Sequence, residues 1–226
     1  MMLINGGAIA VANRYRAILI VTAATAIFLA ASPGSSPTAF AQEPDQDLHQ
    51  LARQAGGKLV LRYLPDRSLI YPNLQELAKR SDIIVVGRTL GHRSRLRGDG
   101  KFITKDFWVR VQSVFKGDVP NGKTILVSLP GGSYMFPDKT FIYLNPYKYK
   151  QAEDSRTYVF FLKKKGTTYA GHELAAGPQA LFDITGRTVE PAHRVPGDPL
   201  LVKYKGKRTA MLLAHLESAA GLGKKR

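Results

Sequence analysis

Arg93, Arg95 and Arg97 alternate along one stretch of the chain, and Trp108 and Arg110 alternate along the next, with Gly98-Asp99-Gly100 between them. Residues two apart on a strand share a face, and Asp-Gly favours a tight hairpin turn. If Asp99-Gly100 is that turn, Arg97 stands opposite Phe102, Arg95 opposite Thr104, Arg93 opposite Asp106 and Gly91 opposite Trp108. One face then carries Arg93, Arg95, Arg97 and Arg110 around Trp108. The other pairs Leu96 with Ile103, His92 with Phe107, Leu90 with Val109 and Ile84 with Phe115, and is the core face. The same register places Arg88 in the core opposite Val111, which a bulge at Gly87 or Gly91 would repair. A tryptophan opposite a glycine can lie over bare backbone, and an exposed arginine stacked on it gains about 0.5–1 kcal/mol. Cations interleaved with an aromatic ring are what single-stranded nucleic acid or an acidic glycan requires. The competing reading is a long, solvated two-stranded arm whose arginines keep an edge soluble.

A second cluster, Tyr143, Tyr147 and Tyr149 with Lys148 and Lys150, lies in a polar stretch. It reads as an exposed loop partly tucked onto the domain, a candidate surface for another exported protein. Lys163-Lys164-Lys165 ends an apolar run and reads as a turn.

Motifs of catalysis match in letters and fail in context. Gly117 to Thr124 spells a phosphate loop, which needs a helix starting at its Lys-Thr end. Here Thr124 to Leu129 is strand-like, and Pro120 removes an N–H, so the segment reads as a hairpin loop. Ser113 and Lys116 match S-x-x-K, but on a strand they point to opposite faces. The five histidines, His49, His92, His172, His193 and His215, form no metal-ligand pair. No catalytic residue, metal ligand or cofactor is assigned, and no nucleotide is expected. An enzyme with a site assembled from distant residues is the third hypothesis, behind a non-enzymatic module whose basic hairpin face contacts an anionic polymer or envelope surface, and a protein-binding or inhibitor-like module using the loop 143–150.

The chain has 226 residues, no cysteine and a formal net charge of +16. Disulfide scaffolds, iron–sulfur clusters and thiol nucleophiles are excluded. Residues 1–41 read as a secretory signal peptide: Arg14 and Arg16, an apolar run from Ala17 to Ala31, a turn-prone stretch and the small-residue triplet Ala39-Phe40-Ala41. Cleavage is expected after Ala41, with an uncleaved membrane anchor as the alternative. The protein is then periplasmic or secreted.

The elements that must hold these residues are mostly strands. Residues 42–72 form an N-terminal extension, with a short, loosely attached helix around Leu48, Leu51, Ala52 and Ala55, and a strand over Lys58 to Leu64. Asn73 and Glu76 form a capping box for a helix over Leu74 to Arg80. Strands follow from Ile83, from Phe107 to Phe115, and over Thr124–Leu129, Phe141–Leu144, Thr157–Leu162, Tyr169–Leu174 and Ala180–Thr185. Residues 73–190 make an antiparallel β-barrel or sandwich of about six to eight strands. Pro191 to Pro199 reads as a linker. Thr209 to Ala220 is an amphipathic helix capped by Gly221, with a basic tail Lys224-Lys225-Arg226.

Four blocks occur in order: Ser81 to Arg88, Val109 to Asp118, Ile125 to Gly132, and Tyr158 to Leu162. In this the chain resembles exported, uncharacterised bacterial proteins whose OB-like barrel is similar to that of netrin-type and tissue-inhibitor domains. The resemblance spans roughly residues 81–185. It implies a fold and carries over no functional residue.

Overall fold

The computed structural model describes residues 47–62, 70–164 and 171–221, and the backbone alone of 18–21, 40–41 and 63–64. The expected leader lies outside these residues except for two short strands, β1 (Ile18–Val21) and β2 (Phe40–Ala41), which pair with each other. The basic tail and Lys165 also lie outside them.

Helix α1 (Leu48–Gln54) starts at Asp47, whose carboxylate accepts the His49 N–H at 2.7 Å. Its Leu48 and Ala52, one turn apart, are buried. Strand β3 (Lys58–Leu64) follows two glycines of positive φ, Gly56 and Gly57, and β1 lies antiparallel along part of it. Helix α2 (Leu74–Arg80) begins where its capping residues place it, with Asn73 accepting the Glu76 N–H at 2.9 Å. Lys116 donates to Ala78 O at 2.8 Å, a last-turn carbonyl that also accepts the Ser81 N–H at 3.2 Å.

The long hairpin is β4 (Ile83–Leu96) and β5 (Ile103–Lys116). β6 (Thr124–Pro130) lies antiparallel to β5. The chain then leaves for β7 (Gly132–Met135) and β8 (Phe141–Pro146), and returns in β9 (Thr157–Lys164) beside β4. β10 (His172–Pro178) runs antiparallel to β9 and parallel to β6. The order β4-β5-β6-β10-β9 therefore returns to β4, and the sheet closes into a five-stranded barrel, with β6 and β10 parallel where an antiparallel barrel was expected. β11 (Leu181–Asp183) takes the part of the β9 edge that β10 leaves, and β12 (Glu190–Pro191) pairs with β11. Helices α3 (Pro199–Tyr204) and α4 (Thr209–Ala219) complete the fold. The strands outnumber the six to eight expected, several having only two to four residues.

Position along the hairpin separates two apolar cores. Phe107, Val109, Val111, Val127, Phe160 and Phe161 belong to the first, together with Leu77 of α2, Tyr204 of α3 and Leu212 and Leu216 of α4. Leu59 and Leu61 of β3, with Ile142 and Leu144 of β8, make a second core with Leu48, Ala52 and Tyr149. Ile103, at the far end of β5, belongs to this second core while Phe107 belongs to the first. The hairpin thus joins both, each fully buried Leu, Ile or Phe contributing about 1.5–3 kcal/mol.

Three expectations are corrected. The hairpin is not a free-standing arm, because its distal half packs on β7 and its tip is held by α1, Leu48 N–H donating to Gly100 O at 3.0 Å. For the same reason α1 is not loosely attached. Residues 191–199 are not a loose linker: Asp198 is buried, caps α3 through the Leu200 N–H at 2.7 Å, and receives Gln179 Nε2 at 3.0 Å. The buried His193 ring bonds the other Asp198 oxygen.

Candidate functional site

The outer face of β5 and β6 carries Trp108 and Arg110, with Arg93 of β4 beside the ring. Trp108 lies opposite Gly91 on one side and Leu126 on the other, and is 38% exposed. From Gly91 to Leu96 the register is the one read from the turn. The tight turn itself is Arg97 to Gly100, closed by Gly100 N–H to Arg97 O at 2.9 Å. Nearer the barrel the register shifts at three places. Leu90 is extruded as a bulge and exposed, so Thr89, not Leu90, faces Val109. Arg88 meets Arg110 in the ladder, and both side chains are exposed. Ile84 faces Lys116 in place of Phe115. A bulge inserts one residue and reverses the faces beyond it, which keeps the Arg88 charge out of the core.

The five anion-binding candidates do not share one site. The Arg93 guanidinium stands 5.6 Å from the centre of the Trp108 ring, within the range of a cation–π contact. Arg110 is exposed two residues along the same face. Arg95 instead turns to Asp106, Nε to Oδ2 3.1 Å. Asp106 is fully buried and also accepts from Ser128 Oγ at 2.7 Å and Thr104 Oγ1 at 3.3 Å. Burying that carboxylate requires a charged partner, and Arg95 supplies it. Arg97 sits at the hairpin tip, 3.5 Å from Asp99 and over the Phe102 ring at 6.0 Å.

A groove of about 370 Å³ opens at Trp108. Besides Arg93, Trp108 and Leu126 it is lined by Lys123, Lys164 and His172, with Asp118 as its one acidic residue. Spacing along the chain does not link these three to Trp108. Lys123 comes from the β5–β6 loop, whose phosphate-loop letters run straight into β6 as a hairpin loop should. Lys164 and His172 stand side by side where β9 meets β10, and only barrel closure brings them to β6. The lysine run around Lys164 was the available signal.

His172 Nδ1 lies 3.3 Å from Leu126 O. That carbonyl can only accept, so Nδ1 carries the proton and Nε2 is left as the acceptor of the neutral ring. Burial pushes the His172 pKa below its ordinary 6.5, against the pull of that hydrogen bond, and Lys164 and Lys123 push it the same way. The groove is therefore a ring, a neutral imidazole and several cations on a sheet wall: a place for a flat group to stack while its anionic neighbours meet guanidinium and ammonium.

The tyrosines separate as well. Tyr149 is buried in the second core and donates to Pro130 O at 2.5 Å, so it is not a partner contact. Tyr143 and Tyr147 are exposed, and the Arg62 guanidinium lies 5.6 Å from the Tyr147 ring. His92 pairs with Asp154 at 2.8 Å, far along the chain from the His193–Asp198 pair. No helix among the described residues is long and apolar enough to cross a membrane. No protein-family model matches this chain, and no curated protein matches its sequence.

Proposed function

We propose that the protein is an exported, non-enzymatic binding module that holds an anionic polymer across the β5–β6 face. The observation that carries this reading is the exposed Trp108 ring with Arg93 at 5.6 Å, set in a groove that also presents Lys123 and Lys164. A base or sugar ring stacks on Trp108, and the flanking phosphates or carboxylates meet Arg93, Arg110 and the two lysines. The face lies where OB-type barrels present their binding strands. The expected leader and the resemblance to exported proteins support a periplasmic or secreted location.

The test is retention on heparin and on single-stranded DNA at two salt concentrations, against a control protein of equal net charge. Elution later than the control, reduced by Trp108→Ala by about 5- to 100-fold in affinity as lost base stacking dictates, is the expected result. Elution no later than the control removes the reading.

A further inference from the structure

The sheet of β3, β8 and β7 has two unlike faces. Leu59, Leu61, Ile142 and Leu144 point into the second core. The alternate positions point outward and form rows across the sheet: Lys58, Phe141 and Met135 in one, Val60, Tyr143 and Ser133 in the next, Arg62 and Asn145 beyond. Met135 is 64% exposed, and Val60, Tyr143 and neighbouring Tyr147 are exposed too. Seven large apolar side chains are exposed among the described residues, and four of them are these. Single exposed apolar residues need no explanation, but a contiguous set marks a contact surface.

The charge around the patch is positive but for one carboxylate. Lys58 and Arg62 lie on β3, Lys148 follows β8, and Lys139 stands at the β7–β8 turn. The carboxylate at that turn, Asp138, is engaged by His49 at 2.9 Å and Arg53 at 2.8 Å. We propose that this face docks on an anionic lipid bilayer. An apolar centre ringed by cations supplies the two signals that stable peripheral attachment needs. Tyrosine rings sit well at the headgroup level. Three of the four cations are lysines, which are depleted at protein–protein interfaces but are attracted to the diffuse charge of anionic headgroups. A second copy fits poorly, since a two-fold contact would bring the same basic rims together. The surface shares no strand with the groove at Trp108, and the proposal does not rest on the polymer-binding reading.

The full-length double variant Trp108→Phe, Tyr143→Trp places the chain's one tryptophan in the patch. It is mixed with vesicles of phosphatidylcholine, with and without phosphatidylglycerol. The expected result is a blue shift of emission, with quenching by brominated acyl chains, on the anionic vesicles only. Met135→Asp should weaken the partitioning by about tenfold or more, since a charge replaces an inserted apolar group. Because Met135 is mostly solvated, circular dichroism should show the fold intact. Arg93→Ala should leave the partitioning unchanged. Vesicle binding without a blue shift and indifferent to Met135→Asp would mean contact through net charge alone and would overturn the proposal. So would no vesicle binding, or an emission shift of the relocated indole caused by a protein partner and not by lipid.

Discussion

A neutral imidazole among cations makes His172 the residue whose charge a ligand can change. In the free protein burial holds its pKa below 6.5. In the folded state this favours the neutral ring, so the contribution to stability is present above pH 6.5 and declines as the pH falls below it. A bound polyanion has the opposite effect, since a nearby negative charge favours the imidazolium. The pKa is then higher in the complex than in the free protein, and affinity rises as the pH falls through the value in the complex. Single-stranded oligonucleotide binding measured at pH 7.5 and 5.5, at one salt concentration and with the fold checked at both, should be tighter at 5.5. His172→Gln should flatten that difference, and an unchanged profile would remove His172 from the site. Asp106 shows the limit of alternation read from sequence. Pairing placed Arg93, Arg95 and Asp106 on one face, but it could not say which arginine takes the carboxylate. Arg95 takes one Asp106 oxygen, and Ser128 reaches the other from β6. Asp106→Ala should destabilise the protein by about 1–3 kcal/mol, the cost of leaving buried polar partners unmatched, whereas Arg95→Ala should change polymer retention far less than Arg93→Ala. Denaturant midpoints and column elution separate the two effects.

Elements with local signals were legible, and those set by tertiary contact were not. Helix α2 and strand β3 begin and end where Asn73, Ser81 and the Gly56-Gly57 pair dictate. The distal register of the hairpin followed from its turn, but the bulge at Leu90 depends on how β9 and β6 flank β4 and β5. Asp198-Pro199 is a good helix start, an N-cap followed by proline at the first position; three prolines nearby made the same stretch look like a linker. β7 was hidden by Pro130-Gly131-Gly132, which reads as a break. Those glycines are what lets β7 approach the hairpin. Gly132 has φ +118°, and a Cβ there would lie 2.6 Å from Ser94 Oγ. Gly132→Ala should therefore cost about 2 kcal/mol or more, from the backbone conformation and the clash together. Gly91 is the contrast: a Cβ there meets nothing within 4 Å, and Gly91→Ala should shift stability by less than about 0.5 kcal/mol, as surface changes do. Thermal melts of the two variants check both, and a Gly132→Ala protein as stable as the parent would show that β7 can move away from β4 freely.

At the scale of the molecule, a formal charge of +16 would attract any polyanion, so the groove must be distinguished from bulk charge. Salt provides the means. Counterions released from a single-stranded polymer give log K a slope of about −0.7 per neutralised phosphate against log salt. Arg93, Arg110, Lys123 and Lys164 are exposed around Trp108, and four such contacts predict a slope of about −3. Removing Arg110 should lower its magnitude by about 0.7, as one contact fewer requires. Lys205 is exposed just after α3 and does not line the groove. A cation that meets no phosphate releases no counterion from the polymer, so Lys205→Ala should leave the slope unchanged. Trp108→Ala should weaken binding at every salt concentration with the slope preserved, because stacking releases no ions. A titration in which Lys205→Ala and Arg110→Ala change the slope equally would mean that the polymer meets the whole basic surface and does not single out the cations around the groove.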